Sequence, residues 1–369
     1  MVLDKMRVLY DGWSIIYHPY GPAATHLLAV LALLPEEIEP IVALPGPMPT
    51  WFPRVETHIQ AANNTEGDRL QWEQRTLPKI VAERQALLLH LFSLNPPLLA
   101  TPNSVVSPTG YYSTPTFVSE RYRRRGIIAR AREALGRGGL SAAKAIFWPS
   151  DLPVPSLPGN IINLRPIVHP DFNHQPERNG SSNLADELDL PETYVLYHGP
   201  SGITDLKRLL AAWSWAAGPI GEYYPLIILG LDQQHREVLS KLLREHDLEE
   251  TVLTLPDLPP QDIPCLYRGC SALFHPAPVS PWGGSVRQAL ASGRPVVAAE
   301  SQLAGAMVGP GAYLIPIENL RQIGAALITS IIEEEVAKSL SRAALQQAIS
   351  WRSHAFGDEL AAAYRNLVR

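Results

Sequence analysis

Two adjacent glycines and a serine, Gly283, Gly284 and Ser285, stand where an apolar strand pattern gives way to an apolar helix pattern. Glycine has no side chain, so a ligand can approach its backbone closely. The first amide groups of a helix have no acceptors within the helix and lie at its positive end, where anions bind. These residues therefore predict a site for a diphosphate that needs no metal ion. A tight turn with glycines needed only for packing is the alternative.

Two histidines end predicted strands in the same half of the chain. His198 closes a strand over 194–198 and is followed by Gly199, and His275 closes a strand over 272–275. Ligands of open parallel sheets bind beyond the carboxyl ends of the strands. We expect His198 to contact a donor phosphate, with a hydrogen-bonded core histidine as the equally weighted alternative for both positions.

Several common catalytic patterns are absent from the sequence. There is no His-Glu-x-x-His, no Asp-x-Asp, no phosphate-binding loop ending in Gly-Lys-Ser/Thr, and no Gly-x-Ser-x-Gly. The two cysteines, Cys265 and Cys270, cannot supply a disulfide framework or a four-cysteine zinc site. ATPase, hydrolase and metal-dependent interpretations based on those motifs are therefore excluded.

The elements that must position these residues are clearest in the C-terminal half. Six strand-like segments alternate with helical ones, at 194–198, 226–229, 252–255, 272–275, 296–299 and 313–315. One helical segment carries Leu206, Leu209, Leu210 and Trp213 on a single face, as a helix against a sheet does. The alternation predicts an α/β fold with a doubly wound parallel sheet.

The length of 369 residues predicts two domains. The N-terminal half suggests strands at 7–10, 41–44, 98–100 and 116–118, and helices over 23–34 and 72–90. We assign an N-terminal domain to 1–170, a linker to 171–190, a C-terminal domain to 191–349, and a last helix over 350–369 that returns to the first domain.

Composition limits the partners. The net charge is −5 and only 18% of residues are charged, so the overall basic footprint of a nucleic-acid-binding protein is absent. No signal-peptide or membrane-spanning pattern is found, and we expect a cytoplasmic protein. Seven arginines between 121 and 137 suggest contact with a phosphorylated lipid or a peripheral membrane surface, although a solvated helix face is the favoured alternative.

The stretch around Gly283 resembles the C-terminal signature of the group 1 glycosyltransferases, glycosyltransferase family 4. The matching positions are Pro276, Trp282, Gly283, Ala289, Ala291, Gly293, Pro295, Val296 and Val297. Segments 195–199, 226–230, 349–364 and 10–21 resemble other family segments in order. The resemblance implies a GT-B fold, in which two Rossmann-like doubly wound domains face each other across a cleft. It also implies retaining, metal-independent transfer of a sugar from a nucleotide-diphosphate donor, with no further cofactor.

Several of the family's charged site residues are replaced here. Its two glutamates fall on Ser280, beside the donor sugar, and Gln288, whose amide could still hold the ribose. Its basic pair falls near Pro200 and Thr204, so Lys207 is the nearest substitute.

On the acceptor side, the resemblance points to Asp11, Gly21 and Glu120. Glu120 and Ser119 stand where the family has an Asp and a His. Turn formation is an equal explanation for Asp11, which precedes Gly12.

Two functions remain open. One is an active glycosyltransferase acting on a carbohydrate or lipid-linked acceptor. The other is a catalytically silent GT-B protein that binds a sugar nucleotide or a partner protein. An epimerase or phosphorylase is disfavoured because the C-terminal loop lacks the carboxylates or lysine such enzymes use.

Overall fold

A computed structural model describes residues 5–98, 103–113, 126–175, 182–352 and 355–369. The chain forms two compact units. Unit 1 comprises Met1–His169, Ser280–Gly283 and Ser353–Arg369, and unit 2 comprises Pro170–Val279 and Gly284–Arg352. Part of the 171–190 stretch forms a helix within unit 2, and the four residues 280–283 belong to unit 1 although the domain assignment from sequence put them in the C-terminal domain.

Among the described residues, unit 1 holds a sheet of seven parallel strands in the order β3-β2-β1-β4-β5-β6-β7. The strands are β1 (Met6–Asp11), β2 (Ile38–Leu44), β3 (Glu56–Ile59), β4 (Leu88–Leu91), β5 (Ser104–Val106), β6 (Ala145–Pro149) and β7 (Ile161–Leu164). The helices are α1 (Trp13–Tyr17), α2 (Pro22–Leu33), α3 (Glu66–Gln71), α4 (Leu77–Arg84), α5 (Ile127–Ala142) and the C-terminal α14 (Ala355–Val368).

The helix predicted over 72–90 is wrong at its C-terminal end. A π-helical turn, Trp72–Thr76, joins α3 to α4, and α4 ends where Gln85 adopts a left-handed backbone conformation. The apolar run that follows is β4, all of whose residues are buried. A short apolar run cannot be assigned to helix or strand from periodicity alone. Of the predicted strand at 98–100 only residue 98 is described, and 116–118 also lies outside the described residues.

In the described part of unit 2, six parallel strands lie in the order β10-β9-β8-β11-β12-β13. They are β8 (Val195–His198), β9 (Leu226–Leu229), β10 (Val252–Thr254), β11 (Ala272–His275), β12 (Val296–Ala299) and β13 (Ala312–Ile315). Its helices are α6 (Ser182–Glu187), α7 (Ile203–Ile220), α8 (Gln233–Glu245), α9 (Ile263–Gly269), α10 (Ser285–Ala291), α11 (Gln302–Val308), α12 (Leu320–Ile332) and α13 (Glu334–Ala348). Every predicted strand of this half is found within one residue of its expected ends.

Both sheets reverse their strand order once, as doubly wound folds do. In unit 2 the reversal lies between β8 and β11, which are hydrogen-bonded neighbours. Most strands are apolar because helices cover both faces of a parallel sheet, whereas the edge strand β3 is largely polar and has no buried residue. The predicted fold class of two Rossmann-like doubly wound sheets is confirmed. The carboxyl ends of β8 and β11 are then the place to look for a ligand site.

The C-terminal helix α14 is tied to the sheet of unit 1 by a buried polar cluster. The hydroxyl of Tyr364 lies 2.6 Å from Nδ1 of His90 and 3.3 Å from the hydroxyl of Tyr10. Nε2 of His90 lies 2.8 Å from Oγ of Ser107. Both ring nitrogens of His90 are therefore hydrogen-bonded, which stabilises a fully buried polar ring.

Unit 1 should lose stability in acid through this histidine. Burial lowers the pKa of His90 to about 3, from 6.5 in the unfolded chain. As the pH falls from about 6.5 towards 3, the unfolded chain binds a proton that the folded chain does not, so the free energy of unfolding decreases. We expect His90→Gln to make this decrease shallower, as measured by urea unfolding at several pH values between about 4 and 7. Parallel curves for the two proteins would contradict the assignment.

Candidate functional site

Two buried histidines mark the reversal point of unit 2. His198 ends β8 and His275 ends β11, and both are buried. The backbone of Gly199 passes directly over the second ring, because a β-carbon at Gly199 would lie 2.9 Å from Cε1 of His275. The ring of Tyr197 lies nearly parallel to that of His275, with centroids 6.1 Å apart. A larger residue at 199 would push these groups apart.

His275 is neutral at neutral pH, because burial lowers its pKa to about 4. Its Nε2 lies 3.1 Å from the carbonyl oxygen of Pro278, and its Nδ1 lies 3.4 Å from Oγ of Ser285. Hydrogen bonds to the backbone of Pro278 and His198 oppose the lowering of the pKa of His275 without reversing it.

His198 is held by a tyrosine that the sequence pattern does not single out. Its Nδ1 lies 2.7 Å from the hydroxyl of Tyr267, in α9. Tyr267 is fully buried and packs edge-on against Phe172. The phenol therefore restrains the imidazole ring of His198, and only the fold brings α9 to the end of β8.

The short helix α10 follows the glycine pair, with Gly284 as its N-cap. All seven of its residues are buried. Ser285, Gln288 and Ser292 follow one another at three- and four-residue spacing and so share one face of the helix and its C-cap. Since Ser285 contacts His275, this face is directed towards β11.

The side chain of Gln288 has no hydrogen-bond partner for either amide atom, although the residue is only 2% exposed. One turn further on, at the C-cap of α10, the hydroxyl of Ser292 is also buried without a partner. An unpaired buried polar group costs about 1–3 kcal/mol. A ligand with hydroxyl groups would remove that cost at Gln288.

The opposite side of α10 is fixed by a buried arginine. The guanidinium of Arg287 lies 4.7 Å from the ring centroid of Trp351, and both residues are buried. Such a cation–π contact orients the helix about its axis. Gln288, the next residue along α10, is buried as well.

Lys207, the predicted cationic contact of the diphosphate, does not lie among these buried residues. Lys207 is exposed and lies outside the apolar face of α7. Arg208 lies 3.9 Å from the carboxylate of Asp205, and the backbone of Pro200 accepts a hydrogen bond from the hydroxyl of Tyr197. His198, Gly199, Ser285 and Gln288 are thus associated with β8, β11 and α10, whereas Lys207 is not part of that buried group.

The segment Ser280–Gly283 packs within unit 1. The ring of Trp282 stacks on His26 at 4.7 Å, and its Nε1 donates to the carbonyl oxygen of Phe147. Ser280 is buried, and its hydroxyl faces the carbonyl oxygens of Thr109, at 2.9 Å, and of Trp282. A glutamate at 280 would place a negative charge against those two oxygens. This loop conformation therefore favours a small side chain that donates a hydrogen bond.

Gly283 is required for packing. Its φ is +66°, and an added β-carbon would overlap the carbonyl oxygen of Pro22 in the first turn of α2. The packing alternative therefore accounts for this glycine. The predicted anion site then consists of the amides of Gly284 and Ser285, within unit 2.

Asp11, predicted on the acceptor side, is engaged by other residues of unit 1. Its Oδ1 accepts hydrogen bonds from the backbone of Trp13 and from Nε1 of Trp72, and Arg69 pairs with both oxygens. Arg69 also binds the buried Glu73. These contacts favour the structural alternative for Asp11. Gly21 is the N-cap of α2, and Glu120 lies outside the described residues.

Two arginines of the run between 121 and 137 form ion pairs within unit 1. Arg132 pairs with Glu73 and with Glu66, and Arg137 pairs with Glu133. Nearby carboxylates raise the pKa of Arg132, although burial opposes them. Arg121, Arg123, Arg124 and Arg125 lie outside the described residues. Sequence reasoning missed the buried pairs of Glu73. The i,i+4 spacing of Arg69 and Glu73 is compatible with an ion pair, but nothing in the sequence marks Arg132, 59 residues further on, as a neighbour.

Within the described ranges, no helix is long and apolar enough to cross a membrane. In the same residues, no group of three or more His, Cys, Asp or Glu side chains is placed to hold a metal ion.

Replacing Gly283 with alanine should destabilise unit 1 by about 2 kcal/mol or more, because the left-handed backbone and the carbonyl of Pro22 both oppose a β-carbon. Gly218→Ala is the matched control. Gly218 lies inside α7 with open space around it, but it precedes Pro219, which disfavours a β-carbon there, so alanine should change the free energy of unfolding by less than about 1 kcal/mol. Urea unfolding measures both changes, and equal effects would contradict the packing role.

The fold is shared with solved glycosyltransferase structures. A sucrose-phosphate synthase from Thermosynechococcus elongatus has 15% identity and a TM-score of 0.70, and the match covers 98% of this chain and 99% of that one. The same values hold for HepE from Anabaena, solved in complex with UDP and glucose. WaaG, a glycosyltransferase involved in lipopolysaccharide biosynthesis, has 12% identity and a TM-score of 0.71, over 97% and 99% of the two chains.

No curated protein matches the chain in sequence. A family model described as glycosyl transferases group 1 matches residues 204–347, which include β9 to β13, α10 and the glycine pair. The predicted GT-B fold is thus confirmed, and over residues 204–347 the chain is confirmed to resemble the group 1 glycosyltransferases.

Proposed function

We propose that this protein transfers a sugar from a nucleotide-diphosphate sugar, held in unit 2, to an acceptor hydroxyl. The observation that carries the proposal is the amide of Gln288. It is buried with both polar atoms unpaired, beside the reversal point of a doubly wound sheet, at the position where the family resemblance expects the ribose contact. A ribose has two neighbouring hydroxyls that can each donate and accept.

The diphosphate would bind at the N-terminal end of α10. The amides there have no acceptors within the helix and can donate to phosphate oxygens. His198, at the end of β8, supplies a further polar group whose ring is held by Tyr267. Backbone amides bind a phosphate without a metal ion, so metal independence is part of the proposal.

The transfer step follows from the chemistry of the donor. The bond between the anomeric carbon and the phosphate oxygen breaks, and the diphosphate leaves with the electron pair. The acceptor oxygen bonds to the same carbon, and its proton passes to a leaving phosphate oxygen. The resemblance implies that the new bond forms on the same face, with retention. No side chain of this protein is assigned as the base.

The proposed acceptor is a carbohydrate or a lipid-linked molecule. Asp11, Gly21 and Glu120 are the proposed acceptor-side positions. Because both oxygens of Asp11 are hydrogen-bonded by Arg69 and Trp72, its contribution would be to hold the loop before α1 in shape. HepE was solved with UDP and glucose, so uridine nucleotides are among the first probes to test.

A silent sugar-nucleotide-binding module, acting with a partner protein, is the second candidate. Ser280 favours it, because its hydroxyl faces two backbone carbonyls and no carboxylate stands at that position. Removing a charge that stabilises a transition state typically reduces rates by orders of magnitude. Both candidates share the nucleotide site and differ only in turnover.

Calorimetric titration with UDP, GDP, ADP and TDP, in the presence of EDTA, tests the shared site. We expect one base to bind clearly, and Gln288→Met, which keeps the size of the side chain but not its polar atoms, to weaken that binding about 5- to 150-fold. Ser292→Ala is the matched control, because Ser292 is equally buried on the same helix and lies one turn away.

The absence of binding for all four nucleotides, in a protein with normal thermal unfolding, would contradict both candidates. Where binding is found, release of the nucleoside diphosphate from the matching nucleotide sugar, with a panel of acceptor sugars, separates them. Turnover supports the transferase, and binding without turnover supports the silent module.

A further inference from the structure

The basic side chains of α7 and α10 are directed to partners or to solvent. Arg208 lies 3.9 Å from the carboxylate of Asp205, and the guanidinium of Arg287 lies over the ring of Trp351. Lys207 is exposed outside the apolar face of α7. A diphosphate is a multiply charged anion, so it should bind more tightly where another side chain can supply a positive charge.

Two imidazole rings lie where the proposed function places the diphosphate. Strands β8 and β11 are parallel neighbours that end at His198 and His275, and His275 is hydrogen-bonded to the backbone of His198. An imidazole in water has a pKa of about 6.5, so it can gain or lose a proton near neutral pH. These two rings are therefore the groups that could supply a positive charge.

The surroundings of the two rings differ. His275 stays neutral near neutral pH because burial lowers its pKa to about 4. Nδ1 of His198 lies 2.7 Å from the hydroxyl of Tyr267, which can donate a hydrogen bond or accept one. Tyr267 can therefore satisfy Nδ1 of His198 whether that nitrogen is unprotonated or carries a proton. The contact suits a ring that changes its charge.

From this arrangement we infer that His198 takes up a proton when a nucleotide diphosphate binds and so supplies the positive charge. The inference rests on the proposed function, since it assigns a proton-linked contact to the same site. In the bound state Nε2 of His198 donates to a phosphate oxygen, and Nδ1 donates to the hydroxyl oxygen of Tyr267. The proton comes from the solvent, because an anion close to a titratable group favours its positively charged form.

Other titratable groups around the end of β8 do not compete for this proton. They are Tyr267 on α9, His275 on β11, Asp205, Lys207 and Arg208 on α7, and Asp232 beyond β9. Phenols, ammonium and guanidinium groups keep their protons between about pH 6 and 8, and carboxylates stay ionised. His235, whose Nδ1 lies 2.7 Å from Asp232 at the start of α8, is a further imidazole and is therefore the control residue.

Calorimetric titration in two buffers of different ionisation enthalpy, HEPES and Tris, counts the protons taken up on binding. The probe is the glucose ester of whichever diphosphate binds, namely UDP-glucose, GDP-glucose, ADP-glucose or TDP-glucose. Its two phosphates do not titrate near neutral pH, whereas a terminal phosphate does, with a pKa of about 6. At pH 7.5 we expect the unaltered protein to take up more than about half a proton for each nucleotide sugar bound.

The affinity should depend on pH with a defined sign. Because the bound protein holds a proton that the free protein lacks, the affinity should fall as the pH rises. The expected decrease is up to about tenfold for each pH unit between about pH 7 and 8.5. Titrations with the same nucleotide sugar across that range measure it.

Three variants assign the proton to its residue. His198→Gln keeps an amide donor but cannot take up a proton, so the uptake and the pH dependence should vanish. Its affinity at pH 6.5 should be about 10- to 150-fold lower, as expected for the loss of a charge-assisted hydrogen bond. Tyr267→Phe keeps the ring and removes the hydroxyl, so it should lower the uptake as well, which a tyrosine needed only for packing would not do. His235→Gln should leave the uptake unchanged.

The outcomes separate this inference from the proposed function. Clear binding of a nucleotide sugar without proton uptake would overturn the inference and leave the proposed function standing. Uptake that persists in His198→Gln, or that is lost in His235→Gln, would do the same. If neither a nucleotide nor a nucleotide sugar binds, both fail. The absence of proton uptake by the unaltered protein is decisive even where a variant does not fold.

Discussion

The complete burial of α10 is the constraint on which the candidate site depends. A buried helix must find partners for its side chains and for the amide groups of its first turn. Arg287 is compensated by Trp351 and Ser285 by His275, whereas Gln288 has no partner within the protein. The unsatisfied amide therefore lies on a helix packed against α13, β11 and α9, and a ligand with hydroxyl groups would relieve its free energy cost.

In unit 1 the buried charged groups Glu73 and Asp11 are paired within the protein. Glu73 is fully buried and is bound by Arg69 and Arg132, and Asp11 is bound by Arg69 and Trp72. Breaking one member of such a network is far more damaging than its net contribution suggests, because an unpaired charge would remain buried. The network joins α3, the π-helical turn and α5 to the end of β1. These charges stabilise the fold of unit 1, and both carboxylate oxygens of Asp11 are already hydrogen-bonded.

The replacements at the site remove equal numbers of positive and negative charges. Where the family resemblance expects two acids and two bases, the chain carries Ser280, Gln288, Pro200 and Thr204, none of which is charged. Two positive and two negative charges are missing together, so the net charge of the site is unchanged. The structure gives two of these positions specific neutral contacts, with Ser280 against backbone carbonyls and Pro200 accepting from Tyr197. A neutral donor site is consistent with both proposed functions.

The sequence by itself determined the α/β class, the doubly wound parallel sheet of unit 2 and the ends of its strands. The reason is that buried parallel strands are continuous apolar runs between turn residues, and amphipathic helices separate them. It also identified His198, Gly284, Ser285 and Gln288, because they follow strand ends or lie in the motif around α10. These signals are local and survive in a single sequence.

Only the tertiary structure decided which of those residues are free to act. Tyr267 meets His198, Ser285 meets His275, and Arg69 meets Asp11 through contacts between segments 10 to about 70 residues apart. Periodicity does not report such pairings. It likewise cannot show that Gly283 is needed against Pro22 while Gln288 has no partner. Burial and hydrogen bonding are properties of the packed chain, and they separate a polar residue that is paired within the protein from one that is not.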